Sequence, residues 1–85
     1  MESDIATVIA LMELVIEDST VPRNIRRAVE EAKTKLQGPG ENATKISSAM
    51  YVLDDVSNDI NMPSNTRTEI WQIISELESL KEKAK

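Results

Sequence analysis

The chain contains no cysteine, no histidine and no phenylalanine, and a single tryptophan and tyrosine among 85 residues. Without cysteine there is neither a disulfide framework nor a thiolate metal site, an inventory that suits a reducing compartment. Without histidine, the Glu-x-x-His motifs of a di-metal carboxylate bundle are missing, and so is the usual base of a serine or cysteine nucleophile. Adjacent Asp54 and Asp55 point to different faces of a helix and do not form a general acid/base pair. The expectation is a protein that is no enzyme, with no cofactor, no metal and no small-molecule substrate. Basic charge is also scarce: the formal net charge is −5, whereas a phosphate-binding surface needs clustered Lys and Arg. That balance argues against a nucleic-acid partner and keeps a small domain soluble. Long apolar runs are absent too, because the longest, Ala6 to Ile16, is broken by Glu13 and is too short to span a bilayer. The acidic start Met1-Glu2-Ser3-Asp4 does not read as a secretory signal. A soluble, cytoplasmic protein with no membrane association is expected.

What is present is aliphatic: the apolar 40% is Ile, Leu, Val, Ala and Met almost throughout, the makeup of packed helices. It is also repeated. Val21-Pro22-Arg23-Asn24-Ile25-Arg26 aligns with Met62-Pro63-Ser64-Asn65-Thr66-Arg67, with Pro22 and Pro63 41 residues apart. The match runs back through Val15/Val56 and Met12/Leu53 and forward through Val29/Ile70 and Leu36/Leu77. Self-similarity of this kind means one supersecondary unit used twice. Residues 1–85 form one small domain, near the size at which a core holds without staples.

The spacing predicts four helices. The first runs from about Asp4 to Asp18 on a stripe of Ile5, Val8, Ile9, Met12, Val15 and Ile16, with Ser3 as its N-cap. The second takes Thr20 as N-cap and Pro22 in its first turn, with Val21, Ile25, Ala28, Val29, Ala32 and Leu36 as its stripe. Gln37-Gly38-Pro39-Gly40 ends it, offering a left-handed C-cap and a proline that cannot continue the helix. The third starts near Asn42, carries Ile46, Ala49, Met50, Leu53 and Val56, and closes at Asn58 and Asp59. Asn61 caps the fourth as Thr20 caps the second, and Met62, Ile70, Ile73, Ile74, Leu77 and Leu80 supply its stripe. The basic stretch Lys81-Glu82-Lys83-Ala84-Lys85 suits the negative pole of that helix and is expected to fray. Short connections imply antiparallel neighbours, hence an all-α, up-and-down four-helix bundle of two similar hairpins, about 4–37 and about 42–82. The acidic first helix (Asp4, Glu13, Glu17, Asp18) and the cation-rich second favour being adjacent.

Several residues invite a functional reading. Asp18, Pro22 and Arg26 recur as Asp59, Pro63 and Arg67, placing a carboxylate at each helix end and an arginine one turn into the next. We read this as a structural corner held by a charge-assisted hydrogen bond between the two, since both halves need the same corner. Alternating oxygens from Asp55 to Asn61 begin like an EF-hand calcium loop, but Ile60 replaces the required glycine and Thr66 the required Glu. Arg23, Arg27 and Lys33 on the second helix are possible phosphate contacts, without the interleaved aromatics that stack RNA bases. Leu14, Tyr51 and Trp71 lie off their own helices' apolar stripes, where an interface anchor would sit. The alternative is that Trp71 simply covers a core edge.

Val21-Pro22-Arg23-Asn24-Ile25-Arg26-Arg27-Ala28, the run Asp54 to Pro63, Arg67, Ile70-Trp71 and Ser75-Glu76-Leu77 together resemble uncharacterised protein family 0147, small cytoplasmic proteins associated with archaea. The resemblance covers almost the whole chain and implies a four-helix bundle of the bromodomain-like type, agreeing with the periodicity. Its recurring features are the corner residues Pro22, Asn24, Arg26, Pro63 and Arg67; it implies no activity and no catalytic residues. A proline and an arginine at a helix corner are also similar to HEAT-type repeats, but two hairpins fall short of a solenoid. The function is thus unknown from sequence. The expected role is a non-enzymatic protein-interaction module that binds a protein partner or itself. The alternative is an accessory RNA- or ribosome-associated protein using the basic face of the second helix.

Overall fold

The apolar spacing is realised as four helices. In the computed structural model, which describes residues 4–83, α1 spans Ile5–Glu17, α2 Arg23–Gln37, α3 Asn42–Val56 and α4 Ser64–Lys83. No strand occurs among the described residues. Each helix buries one stripe: Val8, Met12 and Val15 from α1; Ile25, Val29, Ala32 and Leu36 from α2; Ile46, Ala49 and Leu53 from α3; Ile70, Ile73, Leu77 and Leu80 from α4. Ile5, Ile9, Ile16, Met50, Val56 and Ile74 are half-buried flanks of the same stripes. Val21 and Met62 are buried just ahead of the helices they were expected to belong to. Burying each large aliphatic side chain contributes about 1.5–3 kcal/mol. This core therefore outweighs the Lys33–Glu13 ion pair that joins α2 to α1 at 3.2 Å, an exposed contact worth roughly 0.2–1 kcal/mol.

The helices form a closed ring. α1 packs on α2, α2 on α3, α3 on α4 and α4 back on α1, while the backbones of the diagonal pairs stay apart. Connections 18–22, 38–41 and 57–63 are short enough to require antiparallel neighbours, so the chain is an up-and-down four-helix bundle. The most extensive contact is between α2 and α3, across the two hairpins rather than within either. Ala28 and Ser48 border that seam, and side chains this small let helix backbones approach closely. The α1–α4 seam is the least extensively packed of the four.

The helix starts differ from the sequence reading. Ser3 lies outside the described residues, and Asp4 caps α1 by accepting the Thr7 N–H at 2.7 Å. Thr20 does not cap α2: its N–H and hydroxyl both donate to Asp18 Oδ1, at 2.9 and 2.6 Å. Pro22 occupies the cap position, and its carbonyl accepts the Ile25 and Arg26 N–H groups. Asn61 likewise turns back on Asp59, donating its N–H to Oδ1 at 2.9 Å, and the Pro63 carbonyl accepts from Arg67. The physical reason is shared. An aspartate two residues before Thr20 or Asn61 closes a local turn, and the proline ring then fixes the helical entry. After α2, Gly38 is an extended C-cap (φ −75°, ψ 175°), and the left-handed residue is Gly40 (φ 117°). α4 remains helical through Lys83; Ala84 and Lys85 lie outside the described residues.

Candidate functional site

Each repeated corner brings its residues together, but with partners other than those expected. Asp18 and Arg26 do not bond each other, nor do Asp59 and Arg67. Arg26 Nε donates to the Val21 carbonyl at 3.0 Å. Arg67 donates from Nη1 to the Ser57 carbonyl at 2.7 Å and from Nη2 to the Asp59 carbonyl at 2.9 Å. The cause is the local turn, which directs each carboxylate toward its own N–H donors and leaves main-chain carbonyls facing the guanidinium. Hydrogen bonds from Thr20, first its hydroxyl and then its N–H, lower the Asp18 carboxyl below its ordinary range. The Asn61 N–H and then the Asn24 amide do the same for Asp59. Asn24 Nδ2 reaches Asp59 Oδ2 at 2.7 Å, tying the start of α2 to the α3–α4 corner and placing both corners at one end of the bundle. Within the Asp55–Asn61 stretch, read in sequence as a partial calcium loop, Ser57 Oγ donates to the Asp54 carbonyl at 2.7 Å and both Asp59 oxygens accept from Asn24 and Asn61.

The basic face of α2 is divided. Lys33 is paired with Glu13, whereas Arg23 and Arg27 are exposed, with Glu30 and Glu31 exposed on the same helix.

The apolar residues singled out in sequence are all on the surface: Leu14 is 68% exposed, Tyr51 75% and Trp71 57%. A fourth, Ile60 in the α3–α4 corner, is 91% exposed and was not anticipated. They do not converge. Tyr51 borders a groove of about 610 Å³ along the α2–α3 seam, with Asn24, Ala28, Glu31, Val52 and Asp55. Leu14 borders a groove of about 180 Å³ along α1–α4, on the opposite side of the ring, with Leu11, Val15, Glu69, Gln72 and Ile73. Trp71 follows Ile70 by ~100° round α4, away from the core stripe, and borders neither groove.

The two grooves are equivalent under the 41-residue repeat. Leu11, Leu14, Val15, Glu69 and Gln72 of one correspond to Val52, Asp55, Val56, Ala28 and Glu31 of the other. The α1–α4 groove was missed in sequence, yet its signal was present: Leu14 stands where the repeat places Asp55.

Comparison with known proteins gives consistent relationships. The sequence model of a family described as uncharacterised protein family UPF0147 matches residues 1–80. The UPF0147 protein of Methanocaldococcus jannaschii is 49% identical over 72 residues, covering 84% of this chain and 77% of that protein. A crystal structure of a protein of unknown function superposes with a TM-score of 0.86 at 45% identity, covering 88% of this chain and 86% of the other. The crystal structure of a UPF0147 protein from Thermoplasma acidophilum gives 0.83 at 34% identity, covering 88% and 89%.

Proposed function

We propose that this chain, which belongs to the uncharacterised protein family UPF0147, is a small non-enzymatic protein-interaction module of the cytoplasm. The function of the family is unknown, so the reading rests on this molecule's surface. Its carrying observation is that four large apolar side chains, Leu14, Tyr51, Ile60 and Trp71, stay in water on a bundle whose core stripes are already filled. Tyrosine and tryptophan, the residue types of Tyr51 and Trp71, are enriched among the side chains that anchor protein interfaces. No helix among the described residues is long and apolar enough to cross a membrane, and the lack of cysteine suits the cytoplasm. The absence of histidine and cysteine, and the internal use of the corner carboxylates, support a role without catalysis.

The alternative, an RNA- or ribosome-associated role through α2, draws on Arg23 and Arg27, since Lys33 is committed to Glu13. A tagged pull-down from the source cell's lysate, with and without nuclease, separates the two. Protein partners that survive nuclease are the expected result. Partners that vanish with nuclease would transfer the function to the basic face of α2.

A further inference from the structure

The repeat supplies an internal control for reading the surface. Where the α2–α3 groove carries Asp55, the α1–α4 groove carries Leu14, 68% exposed. Where the former has Ala28, the latter has Glu69, and the counterpart of Lys35 is Glu76, which lies two turns beyond Glu69 on the same face of α4, just outside the groove lining. One copy of the groove is therefore solvated and of mixed charge, while the other has an apolar floor and an acidic wall. Among the described residues Glu69 and Glu76 make no ion pair. The apolar groove runs along the least extensively packed seam of the ring, and Leu11, Leu14 and Ile73 give it an apolar lining of about 180 Å³, the scale of one or two side chains.

We infer that the α1–α4 groove docks a basic amphipathic helical segment of another protein. An aliphatic side chain seats against Leu11, Leu14 and Ile73, while Lys or Arg side chains meet Glu69 and Glu76. The inference rests on the interaction-module reading and adds to it the site and the chemistry of the partner. Charge selects this occupant. A phosphate-bearing surface, whether nucleic acid or anionic lipid, would meet Glu69 and Glu76 and be repelled. A second copy joined through the same face would set those carboxylates against themselves. A second copy joined through the opposite, basic helix would offer Arg23 and Arg27 but no large exposed apolar side chain on α2. A helix with leucines three and four residues apart and lysines beside them satisfies both the floor and the wall.

The test uses two designed peptides of about 18 residues, roughly five helical turns. One is amphipathic in leucine and lysine, the other in leucine and glutamate. Each is titrated into the full ¹⁵N-labelled chain. The leucine–lysine peptide is expected to shift the amides of Leu11, Leu14, Gln72 and Ile73, and the leucine–glutamate peptide to bind at least about tenfold more weakly. Leu14→Asp copies the residue the repeat already tolerates at 55, and Glu69→Lys reverses the wall. Each should weaken binding by about tenfold or more with unchanged helix content, while Tyr51→Ala should leave it as in the parent. Absence of binding, shifts confined to the α2–α3 groove, or full affinity in Leu14→Asp would each overturn the inference. Nuclease-resistant partners retained by Leu14→Asp in the pull-down would overturn this site and leave the interaction-module reading standing. Loss of all partners to nuclease would remove the module reading itself.

Discussion

Arg67 shows how one side chain can finish a helix and start the next. It leaves the first turn of α4 and places two N–H donors on the carbonyls of Ser57 and Asp59, where α3 has run out of internal partners. A guanidinium at the negative end of α3 is also favoured by the helix dipole. Its repeat counterpart Arg26 makes one such bond, to Val21. Hydrogen bonds from a charged donor contribute about 1.5–3 kcal/mol, so Arg67→Ala should lower the melting temperature clearly and Arg26→Ala less. Circular dichroism should show the helix content of both variants unchanged at low temperature. Arg67→Lys should not restore the parent value, because one ammonium cannot span two carbonyls in the fork geometry of arginine. Equal melting of Arg67→Ala and parent would refute this account. The sequence showed that an aspartate and an arginine share each corner, because the repeat displays them twice. Who bonds whom was not legible, since that depends on where Asp18 and Asp59 turn their own carboxylates.

Helices, by contrast, were legible nearly to their ends, because a 3.6-residue stripe is a property of spacing alone. Their starts were not. Thr20 and Asn61 have the chemistry of N-caps, but Asp18 and Asp59 engage them first and the cap passes to Pro22 and Pro63. Thr66 shows the same limit. It is buried where the repeat places Ile25, so a polar residue occupies a stripe position that hydropathy alone would leave out. The α2–α3 connection gives a sharper contrast. Gly38 is extended, and an added Cβ would meet only the Thr34 and Lys35 carbonyl oxygens at an ordinary 3.6 Å. Gly40, at φ 117°, sits where L side chains are strained. Gly38→Ala should therefore stabilise by about 0.4–1 kcal/mol through a less disordered unfolded chain, and Gly40→Ala should destabilise by more than that. Urea denaturation of the two variants checks the sign of each; destabilisation by Gly38→Ala would show that the turn needs both glycines.

On the scale of the whole molecule, three carboxyls among the described residues titrate below their ordinary range. Asp4 does so chiefly through the Thr7 N–H, Asp18 through Thr20, and Asp59 through Asn61 and then Asn24. Each binds its proton less readily in the folded chain than in the unfolded one. The stability they contribute is therefore complete above the unfolded value of 3.8 and is lost as pH falls through the lower folded values. Urea midpoints should decline as pH drops below about 4, and the decline should be shallower in Asp18→Asn/Asp59→Asn, which no longer exchanges those protons. Parallel pH profiles would show that other groups set the acid limit. The bundle itself was legible because short connections leave helices few ways to pack. The unequal seams were not, since openness is a distance between helices and appears in no single stretch of chain. The inequality has a consequence for how the molecule joins others. Two separate copies of one hairpin, paired by symmetry, would present the same groove twice and could link partners into chains. Here each groove is written by its own codons, so Leu14 and Asp55 have diverged, and under the proposed docking a partner that fits the α1–α4 groove has one seat per molecule instead of two.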